Sequence, residues 1–159
     1  MNTKILALLG ISVATSAVFA VETEVPYPSG YRDWQHVKSM VIEEGHPLYS
    51  AFGGIHHLYA NDKALQGYQE NTFPDGAVII FDLLEAVEGK NTVTEGARKV
   101  VGVMHKDAKT FAATGGWGFE AFAGGDPGNR LVGADAASAC FACHAPQKEQ
   151  DYVFSRPRD

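Results

Sequence analysis

Hydrophobic residues recur at two different spacings along the chain. Residues 31–44 have the three- and four-residue spacing of an amphipathic helix. The apolar positions in that segment are Trp34, Val37, Met40 and Val41. Asn61 is a suitable N-cap for a second, short helix over residues 62–70. Residues 107–113 and the Ala-rich residues 134–144 predict two further helices.

Four other segments have the composition of β-strands, because β-branched and aromatic residues are frequent in them. They are residues 55–59, 77–87, 99–105 and 117–123. Gly89-Lys90-Asn91 predicts a hairpin turn between the second and the third. The whole pattern predicts an α+β fold, a mainly antiparallel β-sheet with a few short helices, the last of them near the C-terminus.

The first twenty residues differ from the rest of the chain. Lys4 precedes an apolar stretch that ends at Ala20 and is shorter than the roughly 20 residues a membrane-spanning helix requires. A positive start, an apolar middle and a small residue at the end are typical of a secretory signal peptide. We expect cleavage near Ala20, so that residues 21–159 form one domain in the periplasm without membrane insertion.

The chain is acidic. Its net charge is −6 with neutral histidines, and loss of residues 1–20 would remove one lysine and no acid, which gives −7. A surface of this sign repels phosphate backbones and anionic lipids, so nucleic acid is not an expected partner.

The two cysteines of the chain lie near its C-terminus, in Cys140-Phe141-Ala142-Cys143-His144. This is the C-x-x-C-H signature of c-type haem attachment. Residues three apart share one face of a helical turn, so both thiols can reach the vinyl groups along one porphyrin edge while the next residue approaches the iron. The motif predicts one covalently attached haem c, bonded to Cys140 and Cys143, with His144 as an axial ligand.

Two other uses of the same motif are weaker. A structural zinc site needs about four ligands, and the chain has no second cysteine pair. A redox-active C-x-x-C usually lies in a thioredoxin-like βαβ unit, which the hydrophobic pattern does not predict.

The residues alone leave the second axial position of the iron open. Apart from His144, no methionine or histidine of residues 21–159 lies in a recognisable ligand motif. These residues are Met40, Met104, His36, His46, His56, His57 and His105. His56 and His57 are neighbours on a predicted strand and point to opposite faces, so at most one of them can face the haem.

Several short segments occur in an order and spacing that a known family shares. They are Gly30-Tyr31-Arg32-Asp33-Trp34, residues 52–59, Phe73-Pro74-Asp75-Gly76 with the strand after it, residues 106–111, Trp117-Gly118-Phe119, and the haem motif followed by Val153-Phe154-Ser155-Arg156. Over residues 31–156 the chain resembles the cytochrome P460 family, and within it the cytochrome c′-β branch. The resemblance implies a mainly antiparallel β fold, a homodimer and a five-coordinate haem.

The resemblance also separates two functions within the family. Its hydroxylamine-oxidising branch has a lysine cross-linked to the porphyrin, at the position that matches Phe81, and a distal carboxylate near residues 101–103, where this chain has no acid. The c′-β branch has a distal pocket capped by phenylalanines, at positions that match Phe52 and Phe81. Arg156 is a candidate neighbour of the proximal ligand.

Phenyl rings cannot ligate iron and offer no conventional hydrogen-bond donor, so such a pocket favours small uncharged diatomic ligands. We expect a cytochrome that binds NO and CO, for NO scavenging, transport or sensing. Two alternatives stay open. One is a six-coordinate electron carrier with a redox partner protein. The other is a hydroxylamine-oxidising enzyme or peroxidase, in which His56 or His57 supplies a polar distal group.

Overall fold

Five antiparallel strands form one sheet in residues 24–158, the part of the chain that this computed structural model describes. The strands are β1 (Gln35–Ile42), β2 (Gly54–Ala60), β3 (Val78–Gly89), β4 (Thr92–Lys106) and β5 (Trp117–Ala123), and they lie side by side in chain order. The predicted signal peptide and its cleavage near Ala20 lie outside the described residues. No helix in residues 24–158 is both long and apolar enough to cross a membrane.

The predicted fold class is confirmed, and four of the strands overlap the four predicted segments, although β4 begins at Thr92 rather than at residue 99. The hairpin between β3 and β4 is confirmed as well, since Gly89 pairs with Thr92 across a two-residue turn. Asn91 in this turn has a φ of 58°. Asn adopts the left-handed region more readily than most residues other than glycine, which explains why it occurs here.

The helix predicted over residues 31–44 is wrong. The segment forms a short 3₁₀ turn, Tyr31–Asp33, followed by strand β1. A β-bulge between His36 and Lys38 shifts the register of β1 against β2, so the inward positions no longer alternate strictly. Because the bulge interrupts the two-residue period, the apolar residues acquire a spacing that imitates a helix.

Three α-helices are found in the described residues: α1 (Tyr49–Phe52), α2 (Asp62–Glu70) and α3 (Ala142–His144). The predicted cap of α2 is confirmed, because Asn61 Oδ1 accepts a hydrogen bond from the amide of Ala64 at 2.9 Å. Residues 107–113 do not form the predicted helix, and only the 3₁₀ turn Ala112–Thr114 occurs there.

The segment predicted as the last helix is helical, although not uniformly α. The 3₁₀ turn Gly133–Asp135, the π-helical turn Ala137–Phe141 and α3 cover it, and the 3₁₀ segment Ala145–Gln150 follows. We call residues 133–150 the motif segment. Single π turns within helices occur frequently at functional sites, and this one includes the first cysteine of the motif.

The two faces of the sheet are covered by different parts of the chain. Phe81 lies opposite Leu58 and Gly102, and Gly102 lies opposite Ala121, so these four residues share one face. We call it the motif face, because its core cluster contacts the side chains of the haem motif. The buried residues of this cluster are Val37, Ala60, Ala64, Phe73, Ala77, Ile79, Trp117, Phe119 and Val153.

The opposite face is covered by the N-terminal segment of the described chain. Its core consists of Val25, Tyr31, Ile80, Val101, Val103 and Phe122. An ion pair between Asp82 and Arg98 lies beside this core at 2.6 Å, and the Tyr31 hydroxyl donates to the same carboxylate at 2.8 Å. The central strands are therefore covered on one side by the N-terminal segment and on the other by the C-terminal motif segment.

Candidate haem-binding site

The two cysteines of the motif lie on consecutive helical turns at the edge of the motif face. Cys140 belongs to the π-helical turn and is half-buried, whereas Cys143 belongs to α3 and is exposed. They do not form a disulfide. Burial, and then the charge of Glu120, raise the pKa of the Cys140 thiol. The Cys140 sulfur is thus held as a thiol, which is the form that adds to a vinyl group.

Glu120 fixes the chain that leads into the motif. Its carboxylate accepts hydrogen bonds from the amides of Val132 at 3.0 Å and Gly133 at 3.3 Å, and from Arg130 at 3.1 Å. Glu120 is buried on β5, so these bonds tie the start of the motif segment to the edge of the sheet.

The ring of His144 is held by a backbone carbonyl. Its Nδ1 lies 2.8 Å from the carbonyl oxygen of Tyr152. Because a carbonyl can only accept, Nδ1 carries the proton in this contact, and Nε2 of the neutral ring keeps its lone pair. Burial lowers the pKa of His144, and the carbonyl opposes this shift only in part. The ring is therefore neutral at neutral pH, as an iron ligand must be.

Two aromatic rings flank this imidazole. The ring centroid of Phe119 lies 5.0 Å from that of His144, and the ring centroid of Phe154 lies 4.9 Å from it. Phe119 comes from β5 and is buried, whereas Phe154 is exposed. The ring orientation is thus set by aromatic contacts as well as by the Tyr152 carbonyl.

A row of half-buried apolar positions crosses the motif face next to the motif segment. It consists of Phe81, Gly102 and Ala121, directly opposite one another on β3, β4 and β5. A Cβ added at Gly102 would lie 3.4 Å from the Cβ of Phe81, an ordinary van der Waals contact. The protein's own packing does not require glycine there, and its missing side chain leaves room for a flat apolar group. These residues fit a porphyrin lying against the sheet.

The two phenylalanines implied as a distal cap are brought together by the fold. The ring centroids of Phe52 and Phe81 are 5.6 Å apart, and the rings are nearly perpendicular at 79°. Phe52 ends α1 and is 39% exposed, whereas Phe81 lies within β3. We call this pair the phenylalanine cap. The two residues are 29 positions apart in sequence, and β2 lies between them in the chain.

His56 and His57 point to opposite faces, as expected for neighbours on a strand. His57 bonds to Ser39 Oγ at 2.6 Å and to Glu95 Oε1 at 2.6 Å, so both its ring nitrogens are occupied on the opposite face. His56 lies on the motif face, where its ring centroid is 4.5 Å from that of Phe81. Of the two histidines, only His56 adjoins the phenylalanine cap.

The ring of His56 is buried without compensation among the described residues. It is 4% exposed, and its Nδ1 has no hydrogen-bond partner there. Burial, and to a lesser extent the neighbouring His57, lower the pKa of His56 to about 4. A buried polar atom without a partner costs free energy, so this position is unusual for a histidine that only fills the core.

The other residues considered as second ligands lie in different surroundings. Met40 is exposed on β1, and Met104 packs against the motif-face core. His36 bonds to Ser39, His46 accepts from the amide of Leu48, and His105 is half-buried on β4. The Nδ1 of His105 is buried and has no hydrogen-bond partner among the described residues.

The two buried acidic side chains of the described residues point away from the phenylalanine cap. Asp82 and Glu120 both lie on the opposite face, where they bond to Arg98 and Arg130. Of residues 101–103, only Gly102 lies on the motif face. Arg156 is exposed, and no hydrogen bond or ion pair of its side chain is found among residues 24–158. Its assignment as a proximal neighbour stays a prediction.

Sequence reasoning missed the residues that hold His144. Tyr152 and the preceding Asp151 have φ values of 66° and 49°. Two consecutive non-glycine residues in the left-handed region have no sequence signature, because Asp and Tyr adopt it here only through tertiary contacts. Gly102 was also missed, since glycine within a strand has several unrelated causes.

Comparison with known protein families gives a match over most of the described residues. A family model described as Cytochrome P460 matches residues 28–155, which include all five strands and the haem motif. A search of curated proteins found no match. The family match extends over far more than half of the chain, and the apolar row on the motif face fits the haem that the family implies. The chain belongs to the cytochrome P460 family and is a haem protein.

Proposed function

We propose that this protein is a periplasmic c-type cytochrome of the c′-β kind, with one haem and a five-coordinate iron that binds NO and CO. The observation that carries the proposal is the placement of the phenylalanine cap and of His144. The cap residues are in contact with each other on the motif face, while His144 is held by Tyr152 in the motif segment over the same face.

On the proximal side, Cys140 and Cys143 would hold the porphyrin by thioether bonds, and His144 Nε2 would bind the iron. The Tyr152 carbonyl holds the proton at Nδ1, so the ring cannot present the wrong tautomer. When bound, the haem supplies an iron with one open axial position. The chain's own residues determine what can reach that position.

On the distal side, the cap determines ligand choice. Phe52 and Phe81 cannot bind iron, and they give no hydrogen bond to a bound ligand. Water and oxygen depend on such hydrogen bonds more than NO and CO do, so an apolar cap discriminates against the first two. The proposed purpose is scavenging, transport or sensing of NO.

Export and assembly are part of the same proposal. Residues 1–20 would direct the chain to the periplasm, where attachment of haem to C-x-x-C-H takes place. The homodimer implied by the resemblance is supported by exposed apolar side chains on the edge strand β1, Met40 and Val41. Sedimentation of the purified protein would measure its oligomeric state.

The decisive experiment is an absorption spectrum of the purified holoprotein, oxidised and reduced, with and without NO and CO. We expect high-spin bands that shift when either gas is added. A low-spin spectrum that does not change when either gas is added would instead indicate an electron carrier with two axial ligands. The matched variant is His144→Ala, which should keep the covalent haem but lose the wild-type spectrum.

A second candidate function is oxidation of hydroxylamine or a peroxidase reaction, and His56 is the observation that favours it. This buried, neutral histidine beside Phe81 could accept a proton from a substrate at the distal site. A strongly red-shifted Soret band, or a haem–peptide bond beyond the two thioethers in the mass spectrum, would support this enzyme. Turnover of peroxide that is lost in His56→Leu would do so as well.

A further inference from the structure

The backbone at Asp151 and Tyr152 is strained immediately after the motif segment. Both residues are non-glycine, and their φ values of 49° and 66° place them in the left-handed region. Each such residue is unfavourable for an L-amino acid, and a pair of them persists only when the surroundings impose it. The contacts that impose it are found on the Asp151 side chain.

Asp151 is anchored through both its carboxylate and its carbonyl. Oδ1 accepts from Lys106 Nζ at 2.6 Å, and Oδ2 accepts from the amide of Phe73 at 2.8 Å. The backbone carbonyl of Asp151 accepts from Trp117 Nε1 at 2.8 Å. Lys106 is itself 7% exposed, and its Nζ lies 5.0 Å from the ring centroid of Trp117. Strand β4, strand β5 and the loop before β3 thus each hold Asp151 through a hydrogen bond.

Tyr152 is held on both sides of its peptide. Its amide donates to the carbonyl of Gln147 at 2.8 Å. Its ring occupies the space next to Gly115, where an added Cβ would come within 2.2 Å of the ring. The amide of Val153, which shares a peptide with the Tyr152 carbonyl, donates to the carbonyl of Gln150 at 3.1 Å, and His144 Nδ1 lies 2.8 Å from the Tyr152 oxygen.

We propose that the Asp151–Lys106 ion pair is a positioning device for the proximal ligand. It holds the left-handed turn that presents the Tyr152 carbonyl to His144, and it thereby sets the orientation and the basicity of the imidazole. This inference rests on the proposed role of His144 as the iron ligand. Neither Asp151 nor Lys106 forms a hydrogen bond with the imidazole among the described residues, and they act through Tyr152.

The expected consequence concerns the strength of the bond between His144 and the iron. A firm hydrogen bond from Nδ1 to a carbonyl makes the imidazole a stronger donor. If the turn at Asp151 and Tyr152 relaxes, the hydrogen bond from Nδ1 to the carbonyl lengthens and the imidazole becomes a weaker donor. The bond between His144 and the iron then weakens, and the reduction potential of the haem rises. NO, which competes with the proximal ligand, should then release His144 more readily.

The test uses holoprotein variants Asp151→Asn and Lys106→Met. Resonance Raman spectroscopy of the reduced protein reports the iron–histidine stretch, and a redox titration reports the potential. We expect a lower stretching frequency and a higher potential in both variants. We also expect a shift toward histidine-free NO complexes that corresponds to a loss of about tenfold or more in His144 affinity.

The matched control is Asp82→Asn, which weakens a buried ion pair of the same length on the opposite face. It should lower the unfolding midpoint but leave the iron–histidine stretch and the potential unchanged. If Asp151→Asn and Lys106→Met behave like this control, the two residues are only structural and the proposal is wrong.

Wild-type protein provides a measurement that does not depend on the folding of any variant. The Nδ1 proton of His144 should give a proton NMR signal in the reduced protein that exchanges slowly with solvent. Rapid exchange would contradict the proposal. If the wild-type iron has a ligand other than His144, the proposed function fails first. If the wild-type spectra agree and only the variants show no effect, the positioning role alone fails.

Discussion

The phenylalanine cap is a contact between two single residues on which ligand choice is proposed to depend. Phe52 comes from a one-turn helix and Phe81 from the middle of the sheet, and their rings meet at 5.6 Å. Neither residue is unusual in sequence, because an isolated phenylalanine is most often core. Only the resemblance to the family distinguishes Phe52 and Phe81 from the other phenylalanines of the chain.

Replacement of Phe81 by Ala should open the distal side. We expect water or added imidazole to reach the iron, which would convert the spectrum toward six-coordinate forms. Loss of the half-buried ring should also cost about 2–3 kcal/mol of unfolding free energy. The measurements are ligand titration by absorption and denaturant unfolding. Phe111→Ala, near the opposite face, is the control for ring loss alone. Equal imidazole affinity in all three proteins would contradict the proposed cap.

His56 should make the protein sensitive to acid. Its pKa is about 4 in the folded protein, whereas an unperturbed histidine has a pKa of 6.5. Between pH 4 and pH 6.5, His56 is mostly protonated in the unfolded chain and mostly neutral in the folded protein. Stability therefore falls as the pH falls from about 6.5 to about 4, by up to about 3 kcal/mol from this residue.

The measurement is the free energy of unfolding as a function of pH, for wild type and His56→Gln. The variant should lose part of the decrease between pH 6.5 and 4, while other buried histidines keep the rest. His46→Gln, at an exposed position, is the control and should follow the wild-type curve. An unchanged slope in His56→Gln would show that His56 is protonated freely in the folded protein.

At this scale the sequence predicted what is local and missed what is not. The haem motif can be recognised in the sequence because covalent attachment requires a fixed spacing of consecutive residues. The carbonyl of Tyr152 could not be, since it depends on left-handed backbone angles that Lys106, Phe73 and Trp117 impose from other elements. The sequence around Tyr152 therefore does not indicate that its carbonyl accepts a hydrogen bond from His144.

Among the elements, α2 shows how close packing outweighs helix propensity. Gly67 lies in the middle of this helix and is buried. A Cβ at this position would come within 2.2 Å of the Phe73 ring. Glycine costs about 1 kcal/mol relative to alanine within a helix, so the close approach of the aromatic ring must compensate.

Gly67→Ala should accordingly destabilise the protein although alanine favours helix. We expect a net loss of about 1–2 kcal/mol, because overpacking exceeds the gain in propensity. Chemical denaturation measures it, with Gln69→Ala at an exposed position of the same helix as the control. A variant as stable as wild type would mean that Phe73 can move aside without cost.

The strands were predicted better than the helices for a physical reason. β2 to β5 have apolar residues on one or both faces over several consecutive positions, so their composition is unambiguous. β1 carries a bulge and exposes Met40 and Val41, so its pattern imitates a helix. A bulge depends on how the neighbouring strand pairs, and one strand's sequence does not contain that information.

In the whole molecule, the proposed ligand site and the Asp82–Arg98 ion pair lie on opposite faces of the sheet, so a change at the ion pair can alter stability without altering the ligand site. The N-terminal segment is joined to the sheet through Tyr31 and the Asp82–Arg98 pair, on the face away from the motif. Asp82 is 1% exposed, so removal of its partner leaves a buried charge without compensation. Loss of one partner of a buried ion pair is strongly destabilising.

Arg98→Met should therefore lower the free energy of unfolding by about 3 kcal/mol. The CO affinity of the folded holoprotein should stay at the wild-type value, since the motif face is unaffected. The double variant Arg98→Met/Asp82→Asn should recover part of the stability, because the buried carboxylate is then neutralised. Denaturant titrations and CO titrations provide both measurements. No recovery in the double variant would show that lost packing, rather than charge, is responsible.

The order of the strands in the sheet is also their order in the chain, and this has a consequence for folding. Each strand pairs with the next strand in the chain, so the sheet can form without the segment that carries the haem motif. The C-x-x-C-H segment follows β5 and docks onto a sheet that can already have formed. We therefore expect a late folding intermediate with an assembled sheet and accessible thiols, which is the form most suited to haem attachment before the final docking step.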